Sequence, residues 1–328
     1  MPNRRQAVIQ SALTATSFIA SCSIARAQSN VTRLIVPFAP GAGTDAVGRL
    51  VAQKLSEVLG SPVVVDNRAG AGGAIGTKFV ADSAPDGQTL LLAAAPFTTL
   101  PAALPTAGYD PIRQFAPVGL IASGPLVWAI NKDMQAGNLR EFVQLAKTKP
   151  GFYNYGSAGA GGINHLVLEM LKNRAGIFVT HIPYRGIAPA TMDMIGGQIH
   201  MVTGTVPALI PFIKDGRVKA LAVTASRRSS ALPDVPSMAE SGFAGFDVLN
   251  YFGLMAPKAT PAATIERVHA ALGKVLQMSD VRSRLGNDAL EIATPANGSP
   301  TALASFLEKD FSGWRQVVVA QNLKIDAA

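Results

Sequence analysis

The stretch RLIVPFAPGAGTDAVGRLVAQKLSEVL, residues 33–59, decides the fold class of this chain. Its apolar start, Arg33–Phe38, predicts a buried strand. Apolar residues then recur at helical spacing over Asp45–Leu59, and Gly60 provides a stop. A glycine-containing turn, Gly41–Thr44, joins the strand to the helix. A strand, a glycine turn and an amphipathic helix in this order begin a βαβ unit, in which the helix covers a parallel sheet.

The same alternation continues along the chain. Two apolar runs, Phe115–Asn131 and Phe246–Pro257, are much longer than the other predicted strands, and we interpret them as crossings between two domains. The predicted fold is therefore α/β, with two domains, each a mainly parallel sheet flanked by helices, and a cleft between them. The expected boundaries place 28–124 with 250–328 in the first domain and 125–249 in the second. The other predicted strands are 62–66, 89–94, 154–155, 178–183, 198–202 and 218–224, and the other predicted helices are 74–83, 138–147, 165–174, 189–195, 207–214, 261–277 and 300–320.

The first 27 residues have the pattern of an export signal. Arg4 and Arg5 are followed by an apolar stretch over Ala7–Ala20, and Ala25-Arg26-Ala27 is a small-residue cleavage pattern. We expect cleavage after Ala27 and a periplasmic protein. The segment around Cys22 also resembles a lipoprotein box, so lipidation is the alternative, and the arginine pair is a weak sign of twin-arginine export.

Composition excludes several classes of protein. A chain of 328 residues with 48% apolar and 15% charged residues is long and apolar enough for two packed domains rather than disorder. A single Cys excludes a disulfide scaffold. The net charge of +8 comes without a run of Lys and Arg, and aromatic residues make up only 6% of the chain, so we expect no nucleic-acid partner. We expect a monomer.

Three glycine-rich turns precede predicted helices: Gly41–Thr44, Gly70–Gly73 and Gly159–Asn164. Backbone N–H groups and a helix N-terminus favour an anion at such a turn. Ligands of open α/β sheets bind at the carboxyl ends of strands, where these turns lie. Together the three turns predict a small anionic ligand between the domains.

Individual side chains near these turns have two interpretations. Asp45 is either a partner of the helix dipole or a ligand contact, and Thr44 is either a helix cap or a binding hydroxyl. His165 either orients an anion or completes a turn. Arg185 is either a carboxylate clamp or a solvent-facing residue, and Tyr184 is open in the same way.

Catalytic patterns are weak. Gly41-x-Gly43-x-x-Ala46 with Asp66 is a degenerate dinucleotide fingerprint, but Pro40 crowds the turn and an exported protein would meet little NAD. Ser157 does not lie in a G-x-S-x-G motif. The four His residues lack metal-ligand spacing. We therefore expect no enzyme, no cofactor and no metal site, with a dinucleotide-binding oxidoreductase as a remote alternative.

A series of motifs resembles the Bug (TctC-like) substrate-binding proteins of the tripartite tricarboxylate transporter group. The resemblance runs through nearly all of the chain after the export signal. Its motifs are Pro37-Phe38-x-Pro40-Gly41-x-Gly43-x-Asp45, Asn67-Arg68-x-Gly70-Ala71-Gly72-Gly73, Pro85-Asp86-Gly87, His165-Leu166 with Glu169, His181-x-Pro183-Tyr184-Arg185-Gly186, Leu232-Pro233-Asp234-Val235-Pro236 and Phe252-Gly253-Leu254-x-Ala256-Pro257.

This resemblance implies a type II-like periplasmic-binding-protein fold that closes over a small carboxylate, either a di- or tricarboxylate, an acidic amino acid or an aromatic acid. It also implies delivery to membrane transporter subunits or, alternatively, a sensing role. Two positions depart from the family pattern: Ala42 replaces a common Gly and Tyr251 a common Trp. Residues within 94–98 and 203–206 are candidates for selecting the acid. The expected ligand-binding residues are Phe38, Gly41, Ala42, Gly43, Thr44, Asp45, Gly72, Ala95, Ser157, Gly159, Gly161, Asn164, His165, Tyr184, Arg185, Thr203 and Thr205.

Overall fold

The computed structural model describes residues 31–41, 43–320 and 323. The predicted export signal, with Cys22, and the candidate ligand residue Ala42 lie outside the described residues, so these interpretations stay predictions.

One mixed sheet of ten strands runs through the described chain. Its order is β2-β1-β3-β9-β4-β7-β5-β6, and β8 and β10 each pair with β4. The strands are β1 Thr32–Val36, β2 Val63–Asn67, β3 Thr89–Ala94, β4 Phe115–Asn131, β5 Asn154–Ser157, β6 Thr180–Pro183, β7 Met201–Thr205, β8 Val218–Val223, β9 Leu249–Pro257 and β10 Glu291–Ile292.

Helices connect most of these strands and pack on the sheet. A short 3₁₀ turn, Ala71–Gly73, precedes the second helix. The helices are α1 Gly43–Leu59, α2 Ala74–Ala81, α3 Pro96–Ala103, α4 Leu139–Thr148, α5 Ile163–Ala175, α6 Ile187–Ile195, α7 Val206–Lys214, α8 Ala262–Val275, α9 Ser279–Asn287, α10 Pro295–Gly298 and α11 Pro300–Ala320.

The three strands at each end of the sheet are arranged in the same way, as β2-β1-β3 at one end and β6-β5-β7 at the other. At one end β1 lies between β2 and β3 and is parallel to both, and at the other end β5 lies between β6 and β7 and is parallel to both. Antiparallel strands separate the two parallel groups. The predicted α/β fold with two parallel groups flanked by helices is confirmed.

Strand β4 belongs to both groups. Its first part, Phe115–Pro125, pairs with β9, and its last part, Leu126–Asn131, pairs with β7 and β8. Both long strands were predicted, and β4 has the predicted bounds, whereas β9 begins three residues later than expected. The division into two domains at these strands stays a proposal.

Close packing of α1 on the sheet shows how the sequence fixes a helix. Its apolar positions Val47, Val51 and Leu55 are buried, as their helical spacing predicts. Gly48 permits the approach, because a Cβ at this position would lie 2.8 Å from Cγ2 of Val36. Gly60, with φ of 65°, follows the last turn in the left-handed conformation that ends many helices.

Some elements differ from the sequence predictions. Helices α3 and α9 were not predicted. The strand expected at 198–202 is β7, Met201–Thr205, which places Thr203 inside the strand and Thr205 at its end. The shift follows from pairing, because Met201–Thr205 are opposite Leu126–Ile130 of β4.

Candidate functional site

The sheet has two topological switch points, at β1 and at β5, where successive crossover connections run in opposite directions. From β1 the chain passes through α1 to β2 on one side of β1, and then through α2 to β3 on the other side. The same division occurs at β5, with β6 on one side and β7 on the other. Ligands of open α/β sheets bind at the carboxyl ends of strands at such switch points. Most of the candidate residues lie at the ends of β1, β3, β5 and β7 or in the loops that follow them, whereas Gly72 follows β2 and Tyr184 and Arg185 follow β6.

Asp45 holds the loop after β1 in place. Its Oδ2 accepts hydrogen bonds from the Gly41 amide and from Nε of Arg49, both at 2.9 Å. Its Oδ1 accepts one from Nδ2 of Asn67 at 2.8 Å, and the same Asn67 nitrogen donates to the Phe38 carbonyl. Gly41 has a φ of 83°, a conformation that favours glycine.

The protonation state of Asp45 reflects these contacts. Burial by itself would raise the Asp45 pKa, but the hydrogen bonds from Arg49, the Gly41 amide and Asn67 lower it below its usual value. The carboxylate is only 4% exposed, and both of its oxygens are bonded within the protein. This geometry gives Asp45 a third role, in which it positions the loop, and whether Asp45 also contacts a ligand stays a prediction.

The turn after β2 lies beside this loop. Ala71, Gly72 and Gly73 all have positive φ, and the ring of Phe38 lies 3.3 Å from the point where a Cβ of Gly73 would be. After β3, the Ala95 amide donates to Oδ1 of the buried Asn250 at 3.1 Å, so this amide is occupied within the protein.

Ser157 and His165 hold the loop after β5. Oγ of Ser157 accepts a hydrogen bond from the Gly159 amide at 3.1 Å, and Nδ1 of His165 accepts one from the Gly161 amide at 3.1 Å. Ser157 is fully buried and His165 is 7% exposed. Nε2 of His181 lies 2.6 Å from Oγ of Ser157.

Burial keeps both histidines neutral at neutral pH. It lowers the pKa of His165 to about 4, with a further contribution from the Lys172 ammonium. It lowers the pKa of His181 to about 3, with a further contribution from His165. Close by, Glu169 accepts hydrogen bonds from Tyr155 and Lys172, both at 2.7 Å, and its carboxylate partly offsets the lowering at His181.

Loops from the two ends of the sheet meet. A Cβ on Gly43, at the start of α1, would lie 3.1 Å from Oγ1 of Thr205, at the end of β7. A Cβ on Gly159 would lie 3.9 Å from Cα of Gly72. The structure therefore brings together four of the residues that the sequence predicted, from four different loops.

Asn164 and Thr203 are also adjacent. Nδ2 of Asn164, in the first turn of α5, donates to the Thr203 carbonyl. Among the described residues, Oγ1 of Thr203 is buried with no hydrogen-bond partner. These contacts place the first turn of α5 directly on β7.

Tyr184 and Arg185 follow β6, and in the described part of the chain their side chains make no hydrogen bond to the loops above. The Tyr184 hydroxyl donates to Oδ2 of Asp193 in α6 at 2.8 Å, and its ring packs on Gly156. The side chain of Arg185 is exposed. Thr44 is partly buried, and its hydroxyl has no hydrogen bond to another described residue. Whether these three side chains contact a ligand stays a prediction.

The sequence analysis did not identify three residues that support the loops: Asn67, His181 and Asn250. Asn67 ends β2, and His181 and Asn250 are the second residues of β6 and β9. Asn67 and His181 belong to motifs of the family resemblance, but those motifs did not indicate a supporting role. Their contacts cross 22, 24 and 155 residues of chain, respectively. Periodicity within a segment carries no information about such contacts.

The described residues offer neither a metal-binding cluster nor a membrane-spanning helix. No group of three or more His, Cys, Asp or Glu side chains in this part of the chain could hold a metal ion. None of its helices is both long enough and apolar enough to cross a membrane.

Comparison with known protein families identifies the family of this chain. Residues 47–323 match the family model described as the tripartite tricarboxylate transporter family receptor, TctC. The chain belongs to the TctC family. TctC proteins bind substrates rather than convert them, and this chain resembles solved periplasmic members of the group.

Curated relatives match over most of their length. The chain is 35% identical to the protein BugT of Bordetella pertussis over 316 residues, which cover 94% of this chain and 96% of BugT. It is 37% identical to a UPF0065 protein from the tcbD-tcbE intergenic region of Pseudomonas sp. strain P51, over 88% of this chain and 85% of that protein. The TctC match and these relatives confirm the resemblance seen in the sequence.

Solved structures share the fold of this TctC protein. The periplasmic binding protein BugD superposes with a TM-score of 0.84 at 34% identity, covering 90% of this chain and 98% of BugD. MatC (Rpa3494) from Rhodopseudomonas palustris with bound malate gives 0.84 at 31%, covering 88% and 98%. R. palustris Rpa4515 with adipate gives 0.84 at 29%, covering 90% and 97%.

Proposed function

We propose that this protein captures a small organic carboxylate between the loops after β1, β2, β5 and β7. The observation that carries the proposal is the meeting of loops from the two parallel groups of strands, Gly43 with Thr205 and Gly72 with Gly159. A ligand at this place touches both ends of the sheet. Bound malate and adipate in two structural relatives support a carboxylate as the ligand class.

The chemistry of the loops suits a carboxylate. Helices α1 and α5 begin at the loops after β1 and β5, so the partial positive charges of two helix N-termini lie at the proposed site. The Thr205 hydroxyl at the end of β7 adds a neutral donor. Hydrogen bonds from such groups to a carboxylate are charge-assisted and about twice as strong as neutral ones.

We propose further that 28–124 with 250–328 and 125–249 are two domains that close on the ligand, with β4 and β9 as the connections. Residues of β4 pair in both parts of the sheet, which supports a connecting role. A ligand that contacts both domains stabilises the closed state by its differential affinity for that state.

The proposed place of action is the periplasm, after export and cleavage at Ala27, with delivery of the acid to the membrane subunits of a tripartite tricarboxylate transporter. Membership of the TctC family supports this partner. Expression from Met1 and mass spectrometry of the periplasmic fraction test the first part. A chain beginning at Gln28 supports it, and a lipid-modified chain beginning at Cys22 supports the alternative anchor.

Binding is tested by thermal shift and calorimetry on the exported protein, after unfolding and refolding to remove carried-over ligand. Malate, adipate, aspartate and benzoate are the probes, with NAD as a comparison. A ligand present at 100 times its Kd stabilises the folded state by about 2.7 kcal/mol, which a melting curve resolves. Stabilisation by at least one acid and not by NAD supports the proposal, and stabilisation by NAD alone contradicts it.

The site is tested with Thr205→Val. The Thr205 hydroxyl makes no capping hydrogen bond in α7, so the variant should fold normally. We expect its affinity for the acid to fall about tenfold, as for loss of one hydrogen bond to a charged ligand. Thr301→Val, an exposed threonine in α11, is the matched control. Equal affinities of the two variants would show that the Thr205 hydroxyl does not bind the acid.

A further inference from the structure

A cluster of aromatic and polar side chains lies behind the loop after β5. The rings of Tyr155, His181 and His165 stack in that order, with ring centroids 4.8 Å apart for the first pair and 4.0 Å apart for the second. Tyr155 and His181 are paired residues of the parallel strands β5 and β6, so they share one face of the sheet. His165 reaches the stack from the first turn of α5.

Hydrogen bonds in this cluster determine which ring nitrogen of His165 carries the proton. The Gly161 amide donates to Nδ1 of His165, so Nδ1 carries no proton. Because burial lowers the His165 pKa to about 4, the ring is neutral near pH 7 and carries its proton on Nε2. Nε2 lies 3.7 Å from Oε1 of Glu169.

The hydrogen bonds around Ser157 assign the proton on His181 in the same way. Oγ of Ser157 has one hydrogen but lies within hydrogen-bond distance of the Gly159 amide, the Gly159 carbonyl and Nε2 of His181. All three contacts are satisfied if the hydroxyl donates to the carbonyl and accepts from the amide and from Nε2–H of His181. His181 therefore orients the Ser157 hydroxyl, which in turn binds both backbone groups of Gly159.

Two backbone amides of the loop thus donate hydrogen bonds to buried side chains: the Gly159 amide to Ser157 and the Gly161 amide to His165. Gly159 has a φ of 131° and Gly161 a φ of 76°, so this backbone conformation suits glycine and is open to many alternatives. A glycine segment of this kind needs side-chain contacts to hold one conformation, because ordering each residue costs backbone conformational entropy.

We propose that His181 is a positioning residue, which fixes the conformation of the loop over Gly159–Gly162 through its hydrogen bond to Ser157 and its stack on His165. It acts through these two side chains and not by touching the ligand. This inference rests on the proposed function for its effect on affinity, but its effect on the loop is independent of any ligand.

Two substitutions separate the contributions of the ring and the nitrogen. His181→Phe keeps an aromatic ring between Tyr155 and His165 and removes the hydrogen bond to Ser157. His181→Gln removes the ring and keeps an N–H donor near the position of Nε2. His200→Phe is the matched control: His200 is also partly buried and also bonds across to β5, through Asn154 at the start of that strand, away from the loop.

The first measurement is amide hydrogen exchange of the exported protein without added ligand. We expect His181→Phe to raise exchange of 158–162 by about five- to tenfold, as for loss of one hydrogen bond, with exchange of α1 and α8 unchanged. His181→Gln should restore part of the protection, and His200→Phe should leave the loop at the wild-type rate. Wild-type exchange of the loop in His181→Phe would overturn the proposal.

The second measurement is the Kd for malate and adipate by calorimetry. We expect His181→Phe to weaken binding by about five- to tenfold in the wild type. In a Ser157→Ala background the same substitution should add little further loss, because the hydroxyl that His181 bonds is already absent. Additive losses would contradict a shared contact. If the loop loosens but neither the wild type nor any variant binds an acid in the full panel, the positioning role stands and the proposed function fails.

Discussion

The imidazole rings of His165 and His181 are nearly parallel, with 9° between their planes and 4.0 Å between their centroids. If both rings were protonated, two positive charges would be in contact at a largely buried site. Burial and mutual proximity are what lower the pKa of His181 to about 3.

This pair predicts that the protein loses stability in acid. A histidine with a lowered pKa binds a proton more readily when unfolded, so its contribution is present above pH 6.5 and is lost as the pH falls toward 4. Each such group adds a slope of up to about 1.4 kcal/mol per pH unit. Urea unfolding at a series of pH values measures this, and His181→Phe should flatten the slope. An unchanged slope in this variant would place the acid sensitivity elsewhere.

Asp310 predicts the opposite pH dependence. Burial raises the pKa of this carboxyl to about 6, despite hydrogen bonds with Thr98 at 2.5 Å and with Trp314 at 3.1 Å. A raised pKa contributes stability below pH 3.8 that is lost as the pH rises through 6. Asp310→Asn should therefore gain stability relative to the wild type between pH 4 and 8, by up to about 2 kcal/mol. A difference between the two proteins that is constant with pH would contradict this assignment.

Asp45 should be more important for stability than an ordinary surface carboxylate. Asp45→Ala leaves the Gly41 amide and the side chains of Asn67 and Arg49 without their acceptor, and we expect a loss of about 2–4 kcal/mol. Asp82→Ala, which breaks an exposed ion pair with Lys78, is the control and should cost less than about 1 kcal/mol. Chemical denaturation measures both, and equal costs would mean that the loop does not depend on Asp45.

Two helical glycines should respond to alanine in opposite directions. Gly48→Ala places a Cβ 2.8 Å from Val36 and 3.2 Å from Leu92, and overpacking of this kind costs about 1–3 kcal/mol. Gly273→Ala, in α8, meets no atom within 4 Å and should gain about 0.5–1 kcal/mol from helix propensity. Thermal unfolding of the two variants distinguishes these outcomes. A Tm of Gly48→Ala at or above the wild-type value would show that α1 does not depend on this close approach.

Much of the fold could be predicted because the elements carry local signals. The bounds of β4 and α11 agree with the prediction, since a long apolar run and a long amphipathic run each define both of their ends. Helix α3 was missed because it contains Pro101 and has no polar face: its sequence resembles an interrupted apolar strand. The start of β7 was placed too early because pairing with β4, and not its own sequence, fixes its register.

The candidate site was predictable to the level of loops. Glycines between a strand and a helix are visible in the sequence, and the structure brings the loops after β1, β2, β5 and β7 together. The side chains that hold these loops were not predictable, since Ser157 and His181 meet only through the pairing of β5 with β6. The interpretation of Asp45 was open for the same reason: the contact with Asn67 that favours a positioning role depends on the pairing of β1 with β2.

The contact of Gly43 with Thr205 has a consequence for how the site can change. A single methyl group at residue 43 would be 3.1 Å from the Thr205 hydroxyl, tighter than nine in ten real contacts of this kind, so the Thr205 side chain or one of the two loops would have to move by a few tenths of an ångström. The absence of a Cβ at residue 43 therefore permits the close approach of the two loops at this point. Ligand size could therefore be retuned here by steric bulk alone, with every hydrogen-bonding group left in place.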